Sequence, residues 1–454
     1  CWKELDVRER FIFVKLVGGG FRVGVSKHLV TRALARSSGL DAKVVATRMM
    51  GYHDSRYTPA AEDYLRLIAP ADQQAMRLGQ PFPFFLAHPL QEEPGSLGEL
   101  DDWMVEWKYD GIRAQVVKQN NQVWIWSRGE DLVSEQFPEL QEACASWPDG
   151  TVLDGEILVW SGNKPAGFSA LQTRLNRKRI TPKLRAEAPV IFMAYDCLML
   201  GNQVITQLEL RERRAKLEAF VQARTKASTL GGLPRLILSK AVKASSWNEL
   251  AEQRRQSRAL GVEGFMLKQL TSRYGVGRTK ADGIWYKWKV DPMTIDCVLV
   301  YAQRGHGRRA SLYTDYTFAV WDRMPTDESE VQELLKAIAN SENMAQTTAR
   351  GLPCLVPFAK AYSGLTDEEF KQVDREIRKH TVNKFGPVRT VVPSMVFEIG
   401  FEAIARSNRH KSGVAVRFPR MLRIRHDKPL AQADSLNSLS ELLPTTGQTQ
   451  QETK

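Results

Sequence analysis

The segment Glu106-Trp107-Lys108-Tyr109-Asp110-Gly111-Ile112-Arg113 sets a lysine between two acidic residues, just ahead of an Asp-Gly turn and an arginine. A lysine becomes a nucleophile when neighbouring cations or a metal ion lower its pKa. Arg113 can grip a phosphate in bidentate fashion. A KxDGxR string is short, and a solvated hairpin lysine would read the same way. Other charges point in the same direction. Lys268, Lys287 and Lys289 sit on apolar strands with a spacing that lets their heads face one pocket. Buried like charges are costly without anions beside them, so a polyphosphate accounts for them better than a core does. From Ile404 to Lys428 there are eight Lys/Arg and one Asp, interleaved with Phe418, Leu422 and Ile424 as in a strand packed on one face.

These segments also occur in a particular order. After Lys108 come Ser127-Arg128-Gly129, Leu153-Asp154-Gly155-Glu156, Ala194-Tyr195-Asp196 and Glu263-Gly264-Phe265-Met266-Leu267-Lys268. Trp285-Tyr286-Lys287-Trp288-Lys289 and the run Arg417 to Lys428 complete the set. Over about residues 10–430 it resembles the six-motif series of covalent nucleotidyltransferases, and most closely that of ATP-dependent DNA ligases. The string Phe84-Phe85-Leu86-Ala87-His88-Pro89 and the RFPRxxRxRxDK pattern at 417–428 favour the ligases over capping enzymes.

That resemblance implies roles residue by residue. Lys108 is the catalytic lysine, attacking the α-phosphate of ATP to give a lysyl-AMP. Glu106 helps to read the adenine edge, Tyr195 stacks on the base, and Arg113 and Arg128 hold ribose and phosphate oxygens. Glu156 and Glu263 lie near the phosphates and a Mg²⁺, Glu156 also counting among the nucleotide contacts; a structural ion pair is the plainer reading of either alone. Lys287 and Lys289 contact phosphate. Extra residues around Ala281 and Asp282 leave the next basic contact open between Arg278 and Lys280, with Lys280 preferred. Arg420, Arg423 and Arg425 orient the β,γ-phosphates. Phe168 matches the position of an aromatic minor-groove wedge, and Arg22, Arg174, Arg304 and Arg308 are expected DNA contacts. The implied substrates are ATP and nicked duplex DNA, with Mg²⁺ as the metal, and a monomer acting inside the cell, in a bacterial cytoplasm or nucleoid. An RNA-directed relative (RNA ligase or capping guanylyltransferase) and a catalytically silent nucleic-acid scaffold are the rival readings.

The elements that must position these residues are legible in outline. Residues 1–78 read as helical, with Ser26 and Asp41 as helix starts. This is the expected all-α DNA-binding domain, with Gly18-Gly19-Gly20-Phe21-Arg22-Val23-Gly24 as a loop of close backbone approach. Residues 79–290 alternate β-rich runs with helical stretches, a mixed α/β domain that the resemblance implies is the (ATP-grasp-like) nucleotidyltransferase domain. Residues 291–430, with short strands and a capping box at Thr366-Asp367-Glu368-Glu369, suit an OB-type β-barrel. Residues 431–454 read as a flexible tail.

Composition agrees with this outline. The chain has 454 residues, 43% hydrophobic and 26% charged, which excludes a disordered, collagenous or small disulfide-bonded protein. A net charge of +12 points to a polyanionic partner. No apolar run reaches the length of a membrane span. The five cysteines are scattered without CxxC spacing, which argues for a reduced chain with no zinc ribbon. The opening Cys1-Trp2-Lys3 lacks an initiator Met and leaves a preceding segment open, a targeting sequence included.

Overall fold

The computed structural model describes residues 2–18, 25–51, 58, 60–70, 78–162, 164–175, 177, 179–305, 311–342 and 344–443. The chain divides into two compact units, Cys1–Val290 and Asp291–Lys454.

The first unit opens with four helices, Val7–Val17, Lys27–Ser38, Ala42–Arg48 and Ala61–Ile68. Ser26 and Asp41 cap the second and third through their side chains, as the sequence predicts. The remainder is built on two sheets whose strands we number in chain order. The first contains β1 (His88–Pro89), β2 (Trp103–Tyr109), β8 (Val262–Gln269) and β9 (Trp285–Lys289), paired in the order β1-β9-β8-β2. The second contains β3 (Ile112–Gln119), β4 (Gln122–Ser127), β5 (Thr151–Ser161), β6 (Val190–Leu200) and β7 (Leu236–Leu238), in the order β7-β6-β5-β3-β4. The expected β3–β4 hairpin turns at Asn120 and Asn121, both left-handed with φ 42° and 57°.

Alternation along each strand sorts these residues into layers. Ala114, Val116, Ile125, Leu153, Ile157 and Phe192 face the helices Pro138–Cys144 and Leu210–Arg224, packing on Leu140, Leu217 and Phe220. Val117, Trp126, Val152 and Leu198, on the other face, pack against Phe82, Phe85, Tyr274 and Trp285. Trp285 belongs to β9, so this cluster is where the two sheets meet. No described helix is long and apolar enough to cross a membrane. Cys144, Cys197, Cys297 and Cys354 are buried and free.

The second unit is a curved sheet built around one long strand, Met293–Arg304, which pairs with Tyr313–Trp321, Val388–Val391 and Val396–Phe401. Its core of Phe318, Phe358, Phe397, Ile399 and Met421 is closed by the helix Asp367–His380. Thr366 and Glu369 form the expected capping box of that helix.

Candidate active site

Pairing register decides which side chains share a face. Met266 lies opposite both Glu106 and Lys287, Gly264 opposite Lys289, and Lys268 opposite Met104 and Trp285. Glu106, Lys108, Lys268, Lys287 and Lys289 therefore stand on one face of the first sheet. The alternate residues Val105, Trp107, Phe265, Leu267, Tyr286 and Trp288 form its apolar side, packed with Trp247 and Leu250. A β-bulge between Val262 and Phe265 re-aims Glu263 onto the same charged face. Gly264 makes the bulge possible: its φ is +129°, and a Cβ there would lie 2.2 Å from the carbonyl oxygen of Trp288.

Lys108 stands at the junction of the sheets. Directly after β2 the chain passes through Asp110-Gly111 into β3. A Cβ on Gly111 would stand 2.4 Å from the carbonyl oxygen of Ile157, so only glycine allows this crossing. Lys108 Nζ lies 2.5 Å from Glu263 Oε2, and Lys289 Nζ lies 3.0 Å from the same oxygen. Burial pushes the Glu263 carboxyl up, but Lys108 and Lys289 outweigh it and hold the group below its usual range. Lys287 is lowered by burial first and then by the charges of Lys289, Arg278 and Lys108. Of the two basic residues left open by the sequence, Arg278 is thus the one whose charge bears on Lys287. Lys280 is exposed, and its carbonyl closes a turn with Gly283.

The second sheet supplies the opposing groups. Arg113 pairs in register with Glu156, and Gln115 with Asp154. Asp154 is fully buried and holds the Arg113 guanidinium at Nε (3.2 Å) and Nη2 (2.7 Å), while Nη1 donates to the carbonyl of Phe85 at 2.7 Å. Arg113 lies 5.8 Å from the centre of the Tyr195 ring, and Lys268 Nζ lies 4.3 Å from it. Glu156 is raised to about 8, chiefly by burial and further by Glu263 and Asp154, against the opposing pull of Lys108 and Arg113. The exposed Arg128 donates its backbone N–H to the Arg113 carbonyl.

Two expected nucleotide contacts are engaged elsewhere. The buried Glu106 carboxylate accepts from Arg214 Nη1 at 2.9 Å and from Lys268 Nζ at 2.6 Å. Lys268 is correspondingly buried between Glu106 and the rings of Tyr195 and Trp285, the latter 4.7 Å away. Its charge is balanced inside the protein, which is why it needs no phosphate to be stable there.

The expected DNA contacts divide sharply. Arg174 is wrong as a surface contact. It is fully buried, ion-paired to Glu139 at 2.5 and 2.8 Å, and donates to the carbonyls of Gln136 and Ala188, each at 2.9 Å. Phe168 opens the helix Phe168–Leu175 half-buried, packed against the second sheet's core and not presented as a free wedge. Arg304 is exposed beside the Tyr313 ring. Arg22 and Arg308 lie outside the described residues.

Within the second unit the arginine run is partly neutralised. Arg425 is gripped by Asp296 (2.9 and 3.1 Å) and Asp427 (2.9 and 3.0 Å), leaving its side chain 17% exposed. Arg423, 60% exposed, touches Glu398 at 2.5 Å, and Arg420 approaches Glu402 only to 3.9 Å. Phe418 is exposed at a left-handed turn (φ 54°), while Met421 and Ile424 enter the core.

Sequence reading missed Asp154, Arg214, Trp285 and Tyr274 as members of the site. Asp154, an acidic residue one alternation before Glu156, and Trp285, which opens the Trp285–Lys289 segment, stood inside the motifs without being given a role.

A face of lysines and arginines around two carboxylates, with a lysine at the sheet junction, suits phosphate chemistry. Comparison with known proteins bears on which kind. Residues 85–289 match the family described as ATP dependent DNA ligase domain, and residues 328–428 the ATP dependent DNA ligase C terminal region. A "Probable DNA ligase" of Koribacter versatilis is 33% identical over 445 residues, covering 94% of this chain and 71% of that protein. A "Probable DNA ligase" of Opitutus terrae is 30% identical over 487 residues, covering 96% of this chain but only 45% of its own length. The solved structure described as Pmar-Lig_Pre. shares the fold at a TM-score of 0.53 with 17% identity, over 76% of this chain and 68% of that one.

Proposed function

The chain belongs to the ATP-dependent DNA ligase family, and from that premise we propose that it seals nicks in duplex DNA through a lysyl-AMP intermediate on Lys108. Its first unit carries the nucleotidyltransferase domain of that family over residues 85–289, and its second unit the OB-fold domain. The observation that carries the reading is the single charged face joining Lys108, Glu263, Lys287 and Lys289, at the point where both sheets converge.

Lys108 Nζ, as the free amine once its proton has passed to solvent, attacks the α-phosphorus of ATP, the bond to the bridging oxygen breaks, and pyrophosphate leaves. Lys287 and Lys289 meet the phosphate oxygens where negative charge gathers, which stabilises the transition state more than the ground state. Glu263, held ionised, fixes where the lysine head stands. Arg113 and Arg128 lie on adjoining segments and contact ribose and phosphate, while Tyr195 offers a ring for the base. AMP then passes to the 5′-phosphate of the nick, and the 3′-OH displaces it.

Mg²⁺ fits this donor set. Glu156 and Glu263 offer hard carboxylate oxygens beside the phosphate-facing lysines, and Mg²⁺ is satisfied by one or two carboxylates plus waters. When bound it would neutralise phosphate charge and polarise the α-phosphorus. The helical segment contributes to gripping the duplex, a role supported by Arg32 and Arg36, which are exposed one turn apart on the Lys27–Ser38 helix.

The test is covalent labelling by α-labelled ATP and Mg²⁺. The parent chain should take up AMP, whereas Lys108→Ala and Lys108→Arg should not, because a guanidinium stays protonated and cannot attack phosphorus. Undiminished labelling of either variant would refute the assignment of Lys108.

A further inference from the structure

Tyr274 lies in the loop between β8 and β9, 5% exposed, and the sequence alone assigns this tyrosine no chemistry. Its hydroxyl donates to Asp154 Oδ2 at 2.6 Å, the same oxygen that receives Arg113 Nη2 at 2.7 Å. Asp154 is fully buried, and its other oxygen has only the longer 3.2 Å bond from Arg113 Nε. The phenol itself is rigidly held. Its ring meets Phe85 and Trp285 edge-on at 6.0 and 5.9 Å, Arg213 lies 5.8 Å from its centre, and its backbone N–H donates to Thr206 at 2.9 Å. Burial first, and then Asp154, push the phenol well above its ordinary range, so it remains a donor.

Resting on the reading of this site as the ATP-binding centre, we propose that Tyr274 is a positioning residue for nucleotidyl transfer, fixing the Arg113 guanidinium through Asp154. The side chain of Arg113 has five N–H groups. Four contacts account for Asp154 twice, the Phe85 carbonyl and the Tyr274 oxygen at 3.4 Å, leaving one N–H for a ligand. Where that hydrogen points depends on the plane of the guanidinium, and Asp154 sets that plane. Without the phenolic hydroxyl, Asp154 can rotate about its carboxyl bond, carrying Arg113 with it. Turned away from ribose or phosphate, that N–H no longer bonds the nucleotide, and a contact made equally in the bound and transition states weakens saturation without slowing the bound reaction.

Tyr274→Phe removes one oxygen and keeps the ring packing. In the full chain, formation of the Lys108–AMP adduct should need about tenfold more ATP to saturate, with the saturated single-turnover rate within about threefold of the parent. Asp154→Asn/Tyr274→Phe should need no more ATP than Asp154→Asn alone, since both changes act through one linkage. A folded Tyr274→Phe chain with parental ATP dependence would overturn the proposal, whether or not its melting temperature fell. Independent, additive losses in the double variant would overturn it too. If the parent takes no label at all, the nucleotide reading fails and this assignment with it. A labelled parent beside an unaffected variant sinks the Tyr274 assignment alone.

Discussion

Arg174 offers the clearest contest between what its sequence context suggests and what the fold does with it. As a DNA contact, its removal would leave the protein stable and weaken nick binding. As the structure has it, the guanidinium makes two bonds to Glu139 and one each to the Gln136 and Ala188 carbonyls, with neither charged side chain more than 1% exposed. In Arg174→Ala those carbonyls lose their donor, and Glu139 keeps only Arg185, 3.9 Å away and one-third exposed. Leaving one member of a buried ion pair uncompensated costs about 3–5 kcal/mol. That is a large share of the roughly 5–15 kcal/mol by which a domain is stable. It should lower the melting temperature of the first unit by roughly 6–20 °C. Replacing both partners, as in Arg174→Met/Glu139→Leu, should recover most of the loss, because no charge is stranded. Calorimetry gives the stability side, and nick affinity over a salt series gives the other. A phosphate contact contributes about 0.9 to the slope of log affinity against log salt. Arg174→Ala protein held below its transition should keep the parental slope. A variant that melts like the parent but loses about one unit of slope would refute the buried-pair argument.

Two further outcomes are expected. Glu156 is raised by burial from the ordinary 4.5 to about 8, so the stability it contributes is complete below the ordinary value and lost as pH rises through about 8. Without metal or nucleotide, the parent should therefore lose thermal stability between pH 5 and 8.5 relative to Glu156→Gln, and parallel pH profiles would contradict this. In the second unit, Arg425→Ala should lower the melting temperature, since the buried Asp296 then keeps only Lys428 at 2.6 Å, whereas the exposed Arg423→Ala should melt like the parent and lose AMP labelling. Calorimetry and adduct formation measured on both variants separate a packing role from a chemical one.

The parts of the site that could be read from sequence are those whose position follows from local rules. Lys287 and Lys289 alternate with Tyr286 and Trp288, so a period of two puts the lysines on one face and the rings in the core. Ser26, Asp41 and Thr366 announce helix starts because a cap is a contact between residues at most three apart. What stayed hidden depends on partners distant in the chain. Lys268 obeys the same alternation as Lys287, yet Glu106, 162 residues away, draws its head into a buried pair. Tyr274 meets Asp154 across 120 residues, with nothing in its own loop to foretell it. Glu263 reaches Lys108 only because a bulge shifts the register, and the visible trace of that bulge is Gly264. Arg174 misleads for the same reason in reverse. One turn of helix with Gln172 and Thr173 exposed looks like a polar surface, but Leu171 and Arg174, three apart, share the inward face. A charged residue at a core-facing helical spacing calls for a buried counter-charge, and Glu139 supplies it on the neighbouring helix. Periodicity thus fixes the direction in which a charge points, while its electrostatic partner, set by tertiary packing, determines whether that charge serves the ligand or the fold.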